Sequence, residues 1–235
     1  MSKVIFISPM YNATAHLPDL IQSMKEQTND NWQHILVDDM STDGSFDLAC
    51  KLTRNDDHFI LMKNQEKRWA LQNVINVARK YENNSDVIIA NIDADDALCN
   101  ENTVDIILKA YKDPELDTAW TAHSWDINGM NISRELPEKI NPYQFPWCTS
   151  HLKTWRATTL AGVHDDNFKD LDGNWFRRGY DQALYLPLLY LSHKRKFINE
   201  TCYLYRINSK SVETRIWSEK DQMDTVRLVR ARGFV

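Results

Sequence analysis

Four short apolar runs, Val4-Ile5-Phe6-Ile7, His34-Ile35-Leu36-Val37, Phe59-Ile60-Leu61-Met62 and Val87-Ile88-Ile89-Ala90, constrain this chain more than any other feature. They are apolar nearly throughout, a pattern that suits strands buried on both faces. Segments of helical period lie between them. Leu17, Leu20, Ile21 and Met24 recur at i, i+3, i+4 and i+7, and Phe46 to Thr53 and Trp69 to Tyr81 repeat the pattern. Ser41-Thr42-Asp43-Gly44 supplies loop and capping chemistry before the second helix. Strand and helix in alternation are the sequence form of an α/β fold, a mostly parallel central sheet with flanking helices.

The chain of 235 residues has room for one sizeable α/β domain and not for two independent cores. Residues 1–235 are read as that domain. After about residue 112 the periodicity weakens, and Pro114, Gly129, Pro137, Pro142 and Pro146 mark a half expected to be more irregular. Helices are expected again over Asp181 to Leu191 and from about Trp217 to Arg230. A net charge of -5 provides no field for a phosphate backbone, so a nucleic-acid partner is not expected. No run approaches the ~20 apolar residues of a membrane span. Four scattered cysteines, with no CxxC pair, fit reduced thiols in a cytoplasm. A soluble, cytoplasmic protein is expected; the sequence does not fix its oligomeric state.

In a parallel α/β sheet the loops after the strands converge on one crevice. Here they are Ser8-Pro9-Met10-Tyr11-Asn12, Asp38 to Gly44, Asn64 to Arg68 and Asp93-Ala94-Asp95-Asp96. The last places three carboxylates within four residues, where repulsion is costly unless a cation compensates. Mg²⁺ or Mn²⁺ answers this economically, taking one or two carboxylates and keeping positions for substrate phosphates. Lys67 and Arg68 add positive charge that can meet those phosphates.

Taken in order, these segments resemble the inverting, family-two glycosyltransferases of the GT-A fold. The likeness rests on Pro9-Met10-Tyr11-Asn12, on Val37 to Ser45, on Asp93 to Asp96 and on Asp181-Gln182-Ala183-Leu184. It implies a Rossmann-like nucleotide-sugar-binding half over about residues 1–112 and an irregular half over about 113–235 that binds the acceptor and carries the catalytic base. The implied reaction moves a single sugar from a UDP-sugar donor to a hydroxyl of a glycan or glycoconjugate acceptor. Tyr11 would stack on the base and Asp39 accept from a ring N–H of uracil, with Pro9, Asn12 and Ala94 beside them. Asp93 would reach the ribose or a phosphate, and Asp95 the metal. Asp181, at the start of a helix where the ionised form is favoured, would be the general base. His151, in Trp147 to Leu152, would be a further metal ligand, and Tyr205 to Ser211 a loop over the donor. Among the eight tryptophans, Trp175, close before Asp181, is the candidate acceptor platform.

Departures from the family are also visible. Trp69, Leu71 and Gln72 are bulky where relatives carry small residues, which leaves the donor sugar open. No Gln-x-x-Arg-Trp segment of the kind that processive synthases carry follows Asp181, so single additions are expected. A sugar nucleotidyltransferase shares the sheet and the acidic ligands, but it needs a glycine-rich loop after the first strand. A catalytically silent module that binds nucleotide-sugar or glycan is the other alternative.

Overall fold

The computed structural model describes residues 2–207 and 212–235. Its first half alternates β1 (Lys3–Met10), α1 (Leu17–Lys25), β2 (Trp32–Asp38), α2 (Ser45–Leu52), β3 (Phe59–Lys63), α3 (Trp69–Ala78) and β4 (Val87–Asn91). Then follow β5 (Ala97–Leu98), α4 (Thr103–Ala110), β6 (Leu116–Trp125), β7 (Lys153–Arg156), α5 (Tyr180–Leu191), β8 (Lys194–Tyr205) and α6 (Val212–Arg232). The strands form one eight-stranded sheet in the order β3-β2-β1-β4-β7-β6-β8-β5. β1, β2, β3 and β4 pair in parallel, β7 runs against both β4 and β6, β8 is parallel to β6, and β5 opposes β8. In register, Met10 faces Asp38 and Asp38 faces Lys63, so β1, β2 and β3 end level at one edge of the sheet.

Successive residues of a strand point to opposite faces, and here both faces are covered. Ile5, Ile7, Ile35, Val37 and Ile89 meet Leu71, Val74, Ile75 and Ala78 of α3 and the buried side of α5. Val4, Phe6, Leu36, Ile88 and Ala90 meet Leu17, Leu20, Ile21 and Met24 of α1 and Val104 and Ile107 of α4. Each such buried side chain contributes about 1.5–3 kcal/mol. Helix α5 is buried at every position from Ala183 to Leu189, which explains its weak amphipathic pattern.

The second half is more regular than its sequence suggests. Irregular chain lies over 126–152, between the ten-residue β6 and β7, and with short 3₁₀ turns over 157–179, and the twelve-residue β8 follows α5. Both long strands are hidden in the sequence by polar residues. In β6, Thr121 is buried and accepts from the Leu152 amide, and His123 is buried against Ser133. In β8, Lys194, Lys196, Glu200 and Thr201 are exposed. Helix α6 also begins earlier than expected, at Val212. Among the described residues no helix is long and apolar enough to cross a membrane.

Candidate active site

The turns after β1 and β2 are tied to each other. Asn12, at φ 51, accepts from the Thr42 amide through Oδ1 and donates its own amide to the Ser41 hydroxyl. Asp43 accepts from the amide and hydroxyl of both Thr14 and Ser45. Partial burial pushes its carboxyl up, but these four bonds prevail and hold it down to about 2. Asp39 is 3% exposed and fully engaged. Its Oδ1 accepts from Asn64 Nδ2 and the Arg68 amide at 2.8 Å each, and its Oδ2 from the Trp69 amide at 2.9 Å. The Lys67 ammonium adds an ion pair at 3.4 Å. The same ammonium lies 2.9 Å from the centroid of the Tyr11 ring, a cation–π contact over the face expected to stack on a base. Arg68 directs its guanidinium to Glu66, and the Arg177 guanidinium stands over Trp69. Asp38 is fully buried with neither carboxylate oxygen hydrogen-bonded. Pro9 sits within β1 opposite Val37, and Ala94 packs into the apolar core beneath the sheet.

The second group lies where β4, β7, β8 and α5 meet. Asp93 accepts from the Tyr180 hydroxyl, and its amide donates to the Tyr203 hydroxyl. Burial pushes its carboxyl up, and the charges of Asp181 and Asp95 push it further. Asp96 is buried, accepts from Tyr203 at 2.7 Å and from the Arg206 amide at 2.8 Å, and is likewise raised by burial and then by Asp93 and Asp95. Asp96 therefore fastens the end of β8 to the turn after β4. Asp95 is half-buried beside them, its carbonyl accepting from the Arg206 guanidinium.

Asp181 stands in the first turn of α5, behind Gly179, whose φ of 61 makes the left-handed turn into the helix. Its partner is Lys153, which is 0% exposed and places Nζ 2.5 Å from Asp181 Oδ1. Burial raises the Asp181 carboxyl, but the Lys153 ammonium beside it outweighs this and leaves it below the ordinary range. Lys153 also lies 3.1 Å from His151 Nδ1. His151 is sandwiched between the rings of Tyr203 and Tyr205, at centroid distances of 4.7 and 5.0 Å, and burial holds its pKa well below the ordinary value. Ligand atoms of Asp93, His151 and Asp181 all lie within 4.8 Å of one another.

The structure thus brings Asp93, His151 and Asp181 together, with Asp95 next to Asp93 in the chain and outside that group. Tyr11, Asp39, Lys67 and Arg68 form the other end. Trp175 stacks on Phe168, ring planes 7° apart and centroids 6.1 Å apart. Of the expected donor-covering loop, Tyr205 to Ile207 are ordered near Asp96, and residues 208–211 lie outside the described residues. Lys153, Tyr180 and Tyr203 are absent from the sequence reading. Lys153 sits in Lys153-Thr154-Trp155-Arg156, which carries no motif, and only its register opposite Asn91 and Trp120 reveals it as central to the sheet.

Comparison with known proteins agrees with this geometry. The glycosyltransferase GlyA of Streptococcus pneumoniae is 25% identical over 93% of this chain, and the aligned region covers 32% of GlyA. The S. aureus TarS structure superimposes with a TM-score of 0.67 at 19% identity, covering 97% of this chain and 39% of TarS. A TarS fragment, 1–349, has been solved with UDP-GlcNAc and matches with a TM-score of 0.65 at 17% identity, over 90% of this chain and 60% of the fragment. A mannosyltransferase from Pyrobaculum calidifontis, solved with GDP-Man and Mn²⁺, matches with a TM-score of 0.61 at 16% identity, over 96% of this chain and 64% of that one. The chain therefore spans about a third of the length of GlyA and under two thirds of the structures compared. The fold is that of the GT-A enzymes, and residues 5–185 match the profile of Glycosyl transferase family 2: the chain belongs to that family.

Proposed function

We propose that this chain transfers a single sugar from a UDP-sugar to an acceptor hydroxyl with inversion, in one displacement. The observation that carries the reading is the Asp181 carboxylate at the start of α5, paired with Lys153 and within 4.8 Å of Asp93, one of the carboxylates that follow β4. Lys153 engages Oδ1 and keeps the carboxylate charged, so Oδ2 is the atom left to take the acceptor proton. Gly179 and the buried body of α5 fix its direction.

A lysine ammonium only donates hydrogen bonds, so against Lys153 the Nδ1 of the neutral His151 is the acceptor and its Nε2 carries the proton. In that tautomer His151 is a donor toward diphosphate oxygen and not a metal ligand. Asp95 and Asp93 are then the residues that would hold a divalent cation. The fit is chemical: both carboxylates belong to one turn, and burial, then the charge of Asp181 and a smaller effect of Asp95, raise Asp93, which a cation would relieve. A bound Mn²⁺ or Mg²⁺ would supply charge stabilisation to the departing diphosphate.

At the other end, Tyr11 offers its ring to the base, and Lys67, now over that ring, is within reach of a phosphate once the base displaces it. Asp39 orders the turn from Asn64 to Trp69 through three hydrogen bonds, and a base N–H would share an oxygen that is already engaged. The neighbours were solved with UDP-GlcNAc and with GDP-Man, so base preference is what the experiment must read. Calorimetric titration with UDP, GDP and CDP, each with and without Mn²⁺, should show manganese-dependent binding of UDP over the others. Absence of binding by any nucleotide would favour the silent module; preference for GDP would remove UDP as donor.

A further inference from the structure

A cavity of about 160 Å³ opens beside Asp181 and His151. Trp125, Trp147 and Tyr205 supply aromatic wall, and Ser150, Gln182 and Gln222 supply polar groups. The Trp125 indole N–H is satisfied internally by His123 Nε2 at 3.2 Å, so that ring is left to act as an apolar surface. Gln182 Oε1 accepts from Arg230 Nε at 2.6 Å, which leaves its amide NH₂ to donate. Among the described residues lining the cavity none is Lys or Arg, and the Asp181 side chain, paired with Lys153 behind it, forms part of the wall.

Helix α6 closes one side of this space, contributing Gln222 and Val226. It rests directly on Gly179: a Cβ there would lie 2.9 Å from the Gln222 carbonyl oxygen and 3.3 Å from Thr225 Cβ. The end of α6 is anchored by Arg230 to the carbonyls of Tyr143 and Phe145, and by Arg232 to that of Lys169. The cavity is thus a built feature, with aromatic faces, a few convergent hydrogen-bonding groups and, among the described residues, no Lys or Arg in its lining.

We infer that this cavity is the acceptor subsite and that it takes an uncharged sugar ring, not a phosphorylated sugar or polyol. A pyranose presents an apolar face of C–H groups to an aromatic plane and hydroxyls at its edge, which the walls and amides match. A phosphate would meet no Lys or Arg among the described lining residues and would sit against Asp181. The inference rests on Asp181 being the catalytic base of a sugar transfer.

The test is saturation-transfer NMR on the protein, with and without UDP and Mn²⁺. The probes are the methyl glycosides of glucose, galactose and N-acetylglucosamine, against glucose 6-phosphate and glycerol 3-phosphate. Binding of at least one neutral glycoside, weakened about tenfold in Trp147→Ala and kept within threefold in Trp147→Phe, is the expected result. Near-UV circular dichroism checks that both variants are folded. Failure of all three neutral probes, tighter binding of either phosphate, or indifference to Trp147→Ala would overturn the assignment. UDP binding is read separately in the same samples, so loss of the donor reading and loss of the acceptor subsite are distinguishable.

Discussion

Replacing Asp181 alone, the proposed base, should damage the fold as well as the chemistry. Asp181→Asn removes the carboxylate that forms an ion pair with Lys153, whose side chain is 0% exposed. At 2.5 Å and an effective dielectric of about 20, the gross attraction is roughly 6–7 kcal/mol. Water reaches the carboxylate, which is 29% exposed, and both ions lose hydration on burial. Breaking such a pair from one side costs about 3–5 kcal/mol, a large part of the total stability of a domain. Asp181→Asn should therefore lose about 3 kcal/mol or more in urea unfolding at pH 7 followed by tryptophan fluorescence. The double variant Lys153→Met, Asp181→Asn removes both charges and should recover most of that loss, because an apolar side chain replaces a buried ion pair at little cost. Equal stability of Asp181→Asn and the parent, or a double variant no better than the single, would refute the pairing. Activity measured on Asp181→Asn without this control would confuse unfolding with loss of the base.

Gly179→Ala combines a left-handed φ with a methyl 2.9 Å from the Gln222 carbonyl; it should cost about 2–4 kcal/mol in thermal unfolding and reduce glycoside binding more than UDP binding. His34 is fully buried, bonds Ser8 at 2.7 Å, and is held down to about 3 by burial. The unfolded chain takes up a proton near pH 6.5 that the folded chain refuses, so this residue's contribution is complete above 6.5 and is lost as pH falls toward 3. Between pH 7.5 and 5 the loss should be about 2 kcal/mol, read as the difference between the parent and His34→Gln in urea unfolding at the two pH values. Asp43→Ala frees Thr14 and the start of α2; by analogy with an N-cap it should cost about 1 kcal/mol, with the carboxylate's contribution lost in the parent as pH falls from about 4 toward 2.

The first four strands could be read from sequence because their central runs are almost wholly apolar, with His34 the one polar residue, and β1 to β4 appear at those runs, although the edge strand β3 leaves Ile60 exposed. Asp93 and Asp181 were also accessible, one from carboxylates crowded after a strand and the other from its place at a helix start. The rest depends on tertiary register. Lys153 is a charged residue in a strand without a motif, and nothing before the pairing of β7 with β4 and β6 shows that it is buried against Asp181. β6 and β8 escaped because Thr, His and Lys break the apolar run, although the first two find buried partners in the 126–152 segment. Trp125 and Trp147 were two indoles among eight, and only the closure of α6 over Gly179 gathers them into one cavity. Asp39 shows the opposite situation: the sequence points to a ligand contact, and the structure places three backbone and side-chain donors on it first.

The most direct test of the proposed reaction is proton NMR of the product formed from a UDP-sugar and an acceptor glycoside that binds the cavity, with the parent and the Lys153→Met, Asp181→Asn double variant. An anomeric proton of configuration opposite to the donor, formed by the parent and absent with the folded, UDP-binding double variant, is the expected outcome. Retention of configuration, or turnover by the double variant at the parent rate, would contradict single displacement with Asp181 as the base.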